Sequence, residues 1–271
     1  MDACTYSNPT CSFAYWECVT QKKLNAIVQV NECGAYVAIV PIFATRKWGL
    51  LSAALQPPLV QQGGVFACVP LANTDAFFRL LAKQYFIVDM KINPIHVPTN
   101  GYQISTQNNY VLDLNHSAEL LNSKYKKKFL SLMKSAEKKP WHIAVIPSHT
   151  VYDLLKANPR YAYPLRNHFE VINTLLKRNV GVAFGLYEGE VCLACVFWVS
   201  NSNTYLNLLN GASQAGLKNS ATAFLLHSLI MKYASTPTLL DFEGSMMPGV
   251  ARLYHNFGSA LQHYYKIKKW G

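Results

Sequence analysis

The chain has 271 residues, of which 51% are hydrophobic and 14% charged, and its formal net charge is +11. This length and composition fit one large or two smaller packed domains and exclude a disordered chain. No apolar run approaches the roughly 18 residues of a membrane-spanning helix, so no membrane span is expected. The positive charge favours polyanionic partners such as a nucleotide cofactor, RNA or anionic lipid, and a basic surface without a specific partner is the alternative.

The first residues lack the basic flank and apolar stretch of a secretory signal peptide, so we expect a cytoplasmic protein. The seven cysteines are then expected as reduced thiols. Cys192 and Cys195 form a CxxC pattern, but they lie in a strand-like run, in which positions three apart point to opposite faces. Buried structural thiols are therefore expected there rather than a metal or redox site, and no bound metal is expected.

The first half of the chain predicts a helix followed by several strands. The predicted elements, in chain order, are a helix at 11–22, strands at 24–30, 35–47 and 49–56, a helix at 73–84, and strands at 85–92 and 109–114. Between them, "QPPLVQQGGVF" (56–66) places Gln61 and Gln62 beside two glycines. We expect a polar, flexible loop that faces a substrate, and a simple turn is the alternative.

A lysine-rich segment, residues 117–140, separates the two halves. Leu121, Tyr125, Phe129, Leu132 and Ala136 are spaced as one apolar stripe, and lysines occupy the opposite face, which predicts an amphipathic helix. This helix is interpreted either as a solvated connection between two domains or as a cationic wall facing a phosphate-rich ligand. The second interpretation includes the hypothesis of an RNA-binding protein.

The second half predicts a mixed sheet with helices on both faces. The predicted elements are a strand at 141–147, helices at 148–156 and 164–178, strands at 180–188, 190–200 and 204–213, a helix at 220–234, a strand at 238–245, a helix at 250–257 and a strand at 261–269.

This order resembles that of the GNAT N-acetyltransferase fold, and "ARLYHNFGSALQHYYKI" (251–267) is similar to the last helix and strand of that superfamily. Three stretches resemble the FemAB-like tandem-GNAT proteins, in particular those typical of Bacteroidetes. They are "QPPLVQQGGVF", "MKSAEKK" (133–139) and "LLDFEGSMMPGVARLYHNFGS" (239–259). The resemblance implies an α/β fold with mixed sheets and two GNAT-like domains in tandem. The domains would be 1–139, degenerate and including the basic helix, and 140–271.

The resemblance also implies an acyltransferase that moves an acyl or aminoacyl group to a small-molecule or peptide amine, with acyl-CoA or aminoacyl-tRNA as donor. Tyr254 matches a superfamily position that often serves as general acid. Glu243, near the end of a strand, is the candidate base, and Asp241, two residues earlier in the same strand, is expected to share its face. The alternatives are that Glu243 caps the next helix, that Tyr254 packs in the core, and that Asp241 pairs with Arg252.

Acetyl-CoA-dependent members of the superfamily cradle the pyrophosphate with an Arg/Gln-x-x-Gly-x-Gly/Ala loop. Here "SQAGLKNSATA" (213–223) stands in its place, and only Gly216 and Ala221 lie in roughly matching positions. Backbone N–H groups at the start of the following helix remain available for phosphate, and Lys218 adds charge. The candidate donor-binding residues are Gly216, Lys218, Asn219, Ser220, Ala221 and Thr222. Because the loop departs from the pattern, a non-catalytic GNAT-like binding module with a decayed cofactor site is the alternative function.

Overall fold

The structure is a computed structural model that describes residues 8–21, 24–157, 165–201, 203–244 and 246–271. The chain divides into two compact units. The first consists of Met1–Asn108 with Gln262–Gly271, and the second is Asn109–Leu261. This division assigns the whole basic segment to the second unit. The domain boundary expected between residues 139 and 140 stays a prediction.

The helices and strands follow the predicted order. The elements up to the unit boundary are α1 (Phe13–Thr20), β1 (Asn25–Val30), β2 (Tyr36–Lys47), β3 (Leu51–Leu55), β4 (Phe66–Ala67), α2 (Asp75–Gln84), β5 (Ile87–Ile92) and β6 (Gln103–Asp113). The next elements in the chain are α3 (Ala118–Ser123), α4 (Lys127–Ala136), β7 (Trp141–Val145), α5 (Ser148–Lys156) and α6 (Leu165–Lys177). The remaining elements are β8 (Gly181–Glu188), β9 (Val191–Ser200), β10 (Thr204–Ala212), α7 (Gln214–Lys218), α8 (Ala221–Lys232), β11 (Leu239–Asp241), α9 (Pro248–Asn256) and β12 (Ala260–Trp270).

Each unit contains mixed strand pairing. In the first unit, β1, β2 and β3 pair antiparallel in succession, β3 pairs parallel with β5, and β12 pairs antiparallel with β5. In the second unit, the strand order is β6-β11-β10-β9-β8-β7, and β10 and β11 are the parallel pair. The parallel pairs require crossover connections, and α8 is the helix in the connection from β10 to β11.

Helix α8 fills the core of the second unit because it is apolar on almost every side. It packs against β8, β9 and β10. Its buried residues are Ala221, Ala223, Phe224, Leu225, Leu226, His227, Leu229 and Ile230. The polar exception, His227, has its Nδ1 3.3 Å from the hydroxyl of Tyr125 and its Nε2 3.3 Å from Oε1 of Glu137. Burial lowers the pKa of His227, and Glu137 opposes this shift.

The basic segment is two helices rather than the single helix that the sequence predicts. Lys126 has extended backbone (φ −63°, ψ 133°), and its N–H donates to the carbonyl oxygen of Asn256 at 3.2 Å. The break places the Tyr125 ring edge-on to Phe257, at 5.4 Å between centroids. Gly258 lies so close to this break that a Cβ on it would be 2.6 Å from Cβ of Lys124. Tertiary contacts therefore override the helical pattern at this point.

The structure corrects the predicted apolar stripe at one position. Leu121, Tyr125, Phe129 and Ala136 are buried as expected. Leu132 is exposed, and its neighbour Met133 is fully buried instead. Positions 132 and 133 both lie three or four residues from Phe129 and from Ala136, so helical spacing alone does not distinguish which of the two is buried.

Among the described residues, no helix is both long and apolar enough to cross a bilayer.

Candidate active site

Strands β10 and β11 separate where both approach their carboxyl ends. They pair only through Thr204–Leu206 and Leu239–Asp241. β11 then ends, whereas β10 continues to Ala212 along β9. In the described part of the chain, no strand pairs with the other edge of residues 207–212. An opening beside the carboxyl ends of parallel strands is where open α/β sheets bind ligands.

A β-bulge turns two asparagines towards this opening. Asn207 pairs with Trp198 and Leu209 pairs with Phe197, so Leu208 is the extra residue on β10. Positions three apart in a regular strand face opposite sides, but the bulge changes this relation. As a result, the side-chain amides of Asn207 and Asn210 reach the same hydroxyl group, that of Tyr254.

The Tyr254 hydroxyl is held from two sides. Nδ2 of Asn210 donates to it at 3.1 Å, and Nδ2 of Asn207 lies 3.5 Å from it. The orientation of the Asn207 amide is set by Trp198, whose indole N–H, a donor only, lies 3.1 Å from Oδ1 of Asn207. Both amides donate to the Tyr254 oxygen, so the hydroxyl proton is available to another acceptor.

Tyr254 is buried, with 4% of its surface exposed, and its ring stacks on Phe242 at 4.6 Å between centroids. Burial is the largest cause of a raised pKa of Tyr254, and the negative charges of Glu243 and Asp241 raise the pKa further. The bonds from Asn207 and Asn210 act in the opposite direction. The hydroxyl therefore stays protonated at neutral pH.

Asp241 and Glu243 lie at the turn that follows β11. Asp241 is the last residue of the strand and is buried, and its Oδ1 accepts the backbone N–H of Glu243 at 2.8 Å. Glu243 is half-buried and has a φ of 56°, a left-handed conformation that is costly for a residue with a Cβ. The expectation that Asp241 and Glu243 share a strand face is wrong, because β11 ends at Asp241. The negative charges of both carboxylates nonetheless raise the pKa of Tyr254.

The structure also bears on the alternatives for these carboxylates. The N-cap of α9 is Met247, which makes no side-chain cap hydrogen bond, so Glu243 is not the N-cap residue. Arg252 is exposed, whereas Asp241 is buried and bonds to the Glu243 backbone. Tyr254 does pack in the core, and its hydroxyl nonetheless faces the polar cluster at the strand ends.

The candidate donor-binding loop lies between β10 and α8. A Cβ on Gly216 would be 1.9 Å from the Leu193 carbonyl oxygen, so Gly216 is required for the packing of α7 on β9. Its N–H donates to Oγ of Ser213, which caps α7. Packing therefore accounts for a glycine at position 216, and contact with a phosphate is not needed to explain it.

The other residues of this loop are more open. Lys218 is exposed, and Oδ1 of Asn219 accepts a hydrogen bond from Nζ of Lys139 at 2.8 Å. Ser220 has a φ of 56° and makes no side-chain cap at the start of α8. Ala221, which is buried, and Thr222 form the first turn of that helix, where backbone N–H groups lack intrahelical partners. This end of α8 is compatible with an anion.

Gln61 and Gln62 lie in the first unit, in a segment without regular secondary structure, and both side chains are buried rather than open to solvent. Nε2 of Gln61 donates to the Tyr264 hydroxyl at 2.8 Å. Gly63 forms a parallel bridge with Ile92, and a Cβ on Gly64 would be 2.9 Å from Cβ of that isoleucine. The segment is thus packed against β5, and a contact of the two glutamines with substrate stays a prediction.

The sequence prediction missed Asn207 and Asn210. A signal for them exists in "TYLNLLNGAS", where two amides interrupt an apolar strand. Two residues that are three apart lie on opposite faces of a regular strand, so only knowledge of the bulge would place both amides on the same side. Oδ1 of Asn210 is buried and has no hydrogen-bond partner within the described residues, so it can accept a bond from a ligand.

Within the described ranges, no group of three or more His, Cys, Asp and Glu side chains is arranged to hold a metal ion.

Solved structures resemble this chain over almost its full length. FemX matches with a TM-score of 0.67 and 10% identity, covering 93% of this chain and 90% of its own. The C-terminal domain of a protein assigned as a lysylphosphatidylglycerol synthetase, from Agrobacterium fabrum, matches with a TM-score of 0.60 and 10% identity, covering 98% and 89%. A tandem GNAT protein from the clavulanic acid biosynthesis pathway matches with a TM-score of 0.52 and 10% identity, covering 91% and 82%.

No protein-family model and no curated protein sequence matches this chain. The structural likeness shows the fold, and it confirms a mixed α/β chain with the two-domain GNAT-like architecture of FemX and tandem GNAT proteins. The resemblance to the FemAB-like group is thereby confirmed at the level of fold, and the Bacteroidetes branch stays a prediction.

Proposed function

We propose that this chain, with its FemX-like tandem GNAT fold, is an N-acyltransferase that moves an acyl or aminoacyl group from an activated donor to a small-molecule or peptide amine. The observation that carries the proposal is the environment of the Tyr254 hydroxyl, where β10 and β11 separate. Asn207 and Asn210 donate hydrogen bonds to this hydroxyl. The negative charges of Glu243 and Asp241 raise its pKa. An acid and a carboxylate base at one opening are what amide formation requires.

In the proposed reaction, the amine nitrogen attacks the acyl carbon and forms the new C–N bond. The bond from that carbon to the leaving sulfur or oxygen breaks. Glu243 takes the proton that the amine loses, and Tyr254 gives its proton to the leaving group. Proton transfer from Glu243 to Tyr254, directly or through water, restores both residues. Asp241 acts as a positioning residue, because it holds the backbone of Glu243.

Two features support a donor that carries phosphates and further hydrogen-bonding groups. The free edge of residues 207–212 presents main-chain groups to the opening, and the buried Oδ1 of Asn210 is a further acceptor. The first turn of α8, with Ser220, Ala221 and Thr222, provides backbone N–H groups, and Lys218 and Asn219 lie just before it. Gly216 supports this loop by packing rather than by cradling phosphate.

The raised pKa of Tyr254 favours an oxygen leaving group over a thiolate. A thiol has a pKa of about 8.5, so a tyrosine that holds its proton more tightly than usual protonates a thiolate only weakly. An alkoxide is a much stronger base and takes the proton readily. We therefore propose an ester donor such as an aminoacyl-tRNA ahead of a thioester such as acyl-CoA.

The direct test incubates the purified protein with acyl-CoA thioesters or charged tRNA and a panel of amines, and detects amide products by mass spectrometry. We expect transfer, with a higher rate from the ester, and a fall of about tenfold or more in the Glu243→Gln variant. Binding of donors without transfer to any amine would support the alternative, a GNAT-like binding module with a decayed site. Equal rates for the wild type and Glu243→Gln would remove Glu243 as the base.

A further inference from the structure

A cluster of exposed apolar side chains lies at one end of the strands of the first unit. Trp48 and Leu50, in the turn between β2 and β3, are 68% and 81% exposed. Phe86 and Trp270 are also exposed, and they lie at the matching ends of β5 and β12, where Trp270 pairs with Ile87. The rings of Trp48 and Trp270 are 6.3 Å apart, so these side chains form one surface rather than scattered residues.

The geometry of the turn between β2 and β3 does not explain why a tryptophan occurs there. Trp48 and Gly49 have φ angles of 53° and 76°, the combination that a type I′ hairpin turn requires. Asn, Asp or Gly are favoured at the first of these positions, and a bulky aromatic residue there is strained. A tryptophan that costs hairpin stability and remains exposed points to a partner outside the chain.

The charges around this cluster are positive. Nζ of Lys47 lies 4.9 Å from the ring of Trp48 and 4.5 Å from that of Trp270. The segments that form this end of the unit, 46–52, 83–87 and 268–271, contain no acidic residue. Their basic residues are Arg46, Lys47, Lys83, Lys268 and Lys269. The neighbouring acid on β5, Asp89, already pairs with Lys266 at 3.0 Å and with Lys268 at 4.0 Å.

We propose that this surface, defined by Trp48, Leu50, Phe86 and Trp270 with Lys47, docks the protein on an anionic lipid bilayer. Tryptophan and lysine side chains favour the interface between water and lipid, and an exposed leucine at a turn can enter the acyl region. Anionic headgroups complement Lys47 and the neighbouring Arg46, Lys83 and Lys269. Nucleic acid fits less well, because the two tryptophan rings are tilted by 44° and Leu50 offers no face for base stacking.

The test measures flotation of the full chain with vesicles of phosphatidylcholine alone and with vesicles in which about a third of the lipid is phosphatidylglycerol. We expect binding to the second kind only, weakened by added salt. The variant Trp48→Ser with Leu50→Ser should bind about tenfold more weakly or worse. Tyr36→Ser is the matched control, because Tyr36 is an exposed aromatic residue at the opposite end of β2, and this change should leave binding intact.

A second measurement does not depend on the variant folding. Brominated lipid should quench tryptophan fluorescence of the wild-type chain, because Trp48 and Trp270 are exposed whereas Trp16 and Trp198 are buried. Absence of binding to anionic vesicles, or equal binding by the double variant, overturns the proposal. So does a double variant that loses affinity for a single-stranded oligonucleotide or for a second copy of the chain while its vesicle binding is unchanged.

Discussion

Oδ1 of Asp241 accepts the backbone N–H of Glu243 at 2.8 Å, and this bond closes a turn in which Glu243 has a φ of 56°. A left-handed conformation costs roughly 1–2 kcal/mol for a residue with a Cβ. Such strain persists where the surroundings fix it, and it is concentrated at functional sites. The turn places Glu243 next to the strand end instead of continuing β11.

Replacing Glu243 by glycine should therefore separate stability from activity. The Glu243→Gly variant relieves the strain, so its free energy of unfolding should rise by about 1 kcal/mol, while acyl transfer falls about tenfold or more. Urea unfolding and a transfer assay measure the two effects. Asn179→Gly, at another positive φ (54°), is the control and should leave transfer unchanged. A loss of stability in Glu243→Gly would show that the left-handed conformation of Glu243 is not strained.

The short helix α7 depends on Gly216, because a Cβ there would be 1.9 Å from the Leu193 carbonyl oxygen. The Gly216→Ala variant should lose about 3 kcal/mol of stability, since backbone must move to admit the methyl group. The matched control is Gly249→Ala in α9, where a Cβ meets nothing within 4 Å. That change should raise stability by up to about 1 kcal/mol. Similar stabilities of the two variants, measured by urea unfolding, would argue against the packing described for α7.

Buried His227 should make the fold sensitive to acid. Burial lowers its pKa in the folded state below the ordinary value of 6.5, so the unfolded state binds the proton first as the pH falls. The free energy of unfolding is then highest above pH 6.5 and declines as the pH falls through the folded-state pKa. Unfolding measured at a series of pH values should show a shallower decline for His227→Gln, with the exposed His255→Gln as control. An identical pH profile for His227→Gln and the wild type would exclude His227 as the cause.

Regular periodicity was sufficient to predict most of the elements. The apolar runs of β8, β9 and α8 and the amphipathic pattern of α2 match the structure to within a few residues. The sequence also indicated that Asp241, Glu243 and Tyr254 belong to one site, and the structure brings them together. Their catalytic roles stay predictions.

The features that the sequence did not predict have one physical cause: contacts with residues that are distant in the sequence determine the local conformation. The break at Lys126 depends on Asn256, and the burial of Gln61 depends on Tyr264. The pairing of Asn207 and Asn210 on one hydroxyl depends on a bulge against β9. The two asparagines do interrupt an apolar run, but the surrounding sequence does not indicate which distant groups make any of these contacts.

Removal of the Tyr254 hydroxyl tests its proposed role as the general acid. Tyr254→Phe removes one oxygen and leaves the donor groups of Asn207 and Asn210 without this acceptor, which should cost about 1–2 kcal/mol of stability. Tyr205→Phe, on the same unit and partly buried, is the matched control. The deciding measurement is the single-turnover rate of transfer from an aminoacyl ester to an amine, at a temperature where all three proteins are folded. We expect a fall of about tenfold or more for Tyr254→Phe and no change for Tyr205→Phe. Equal rates in all three proteins would contradict the proposed role of Tyr254.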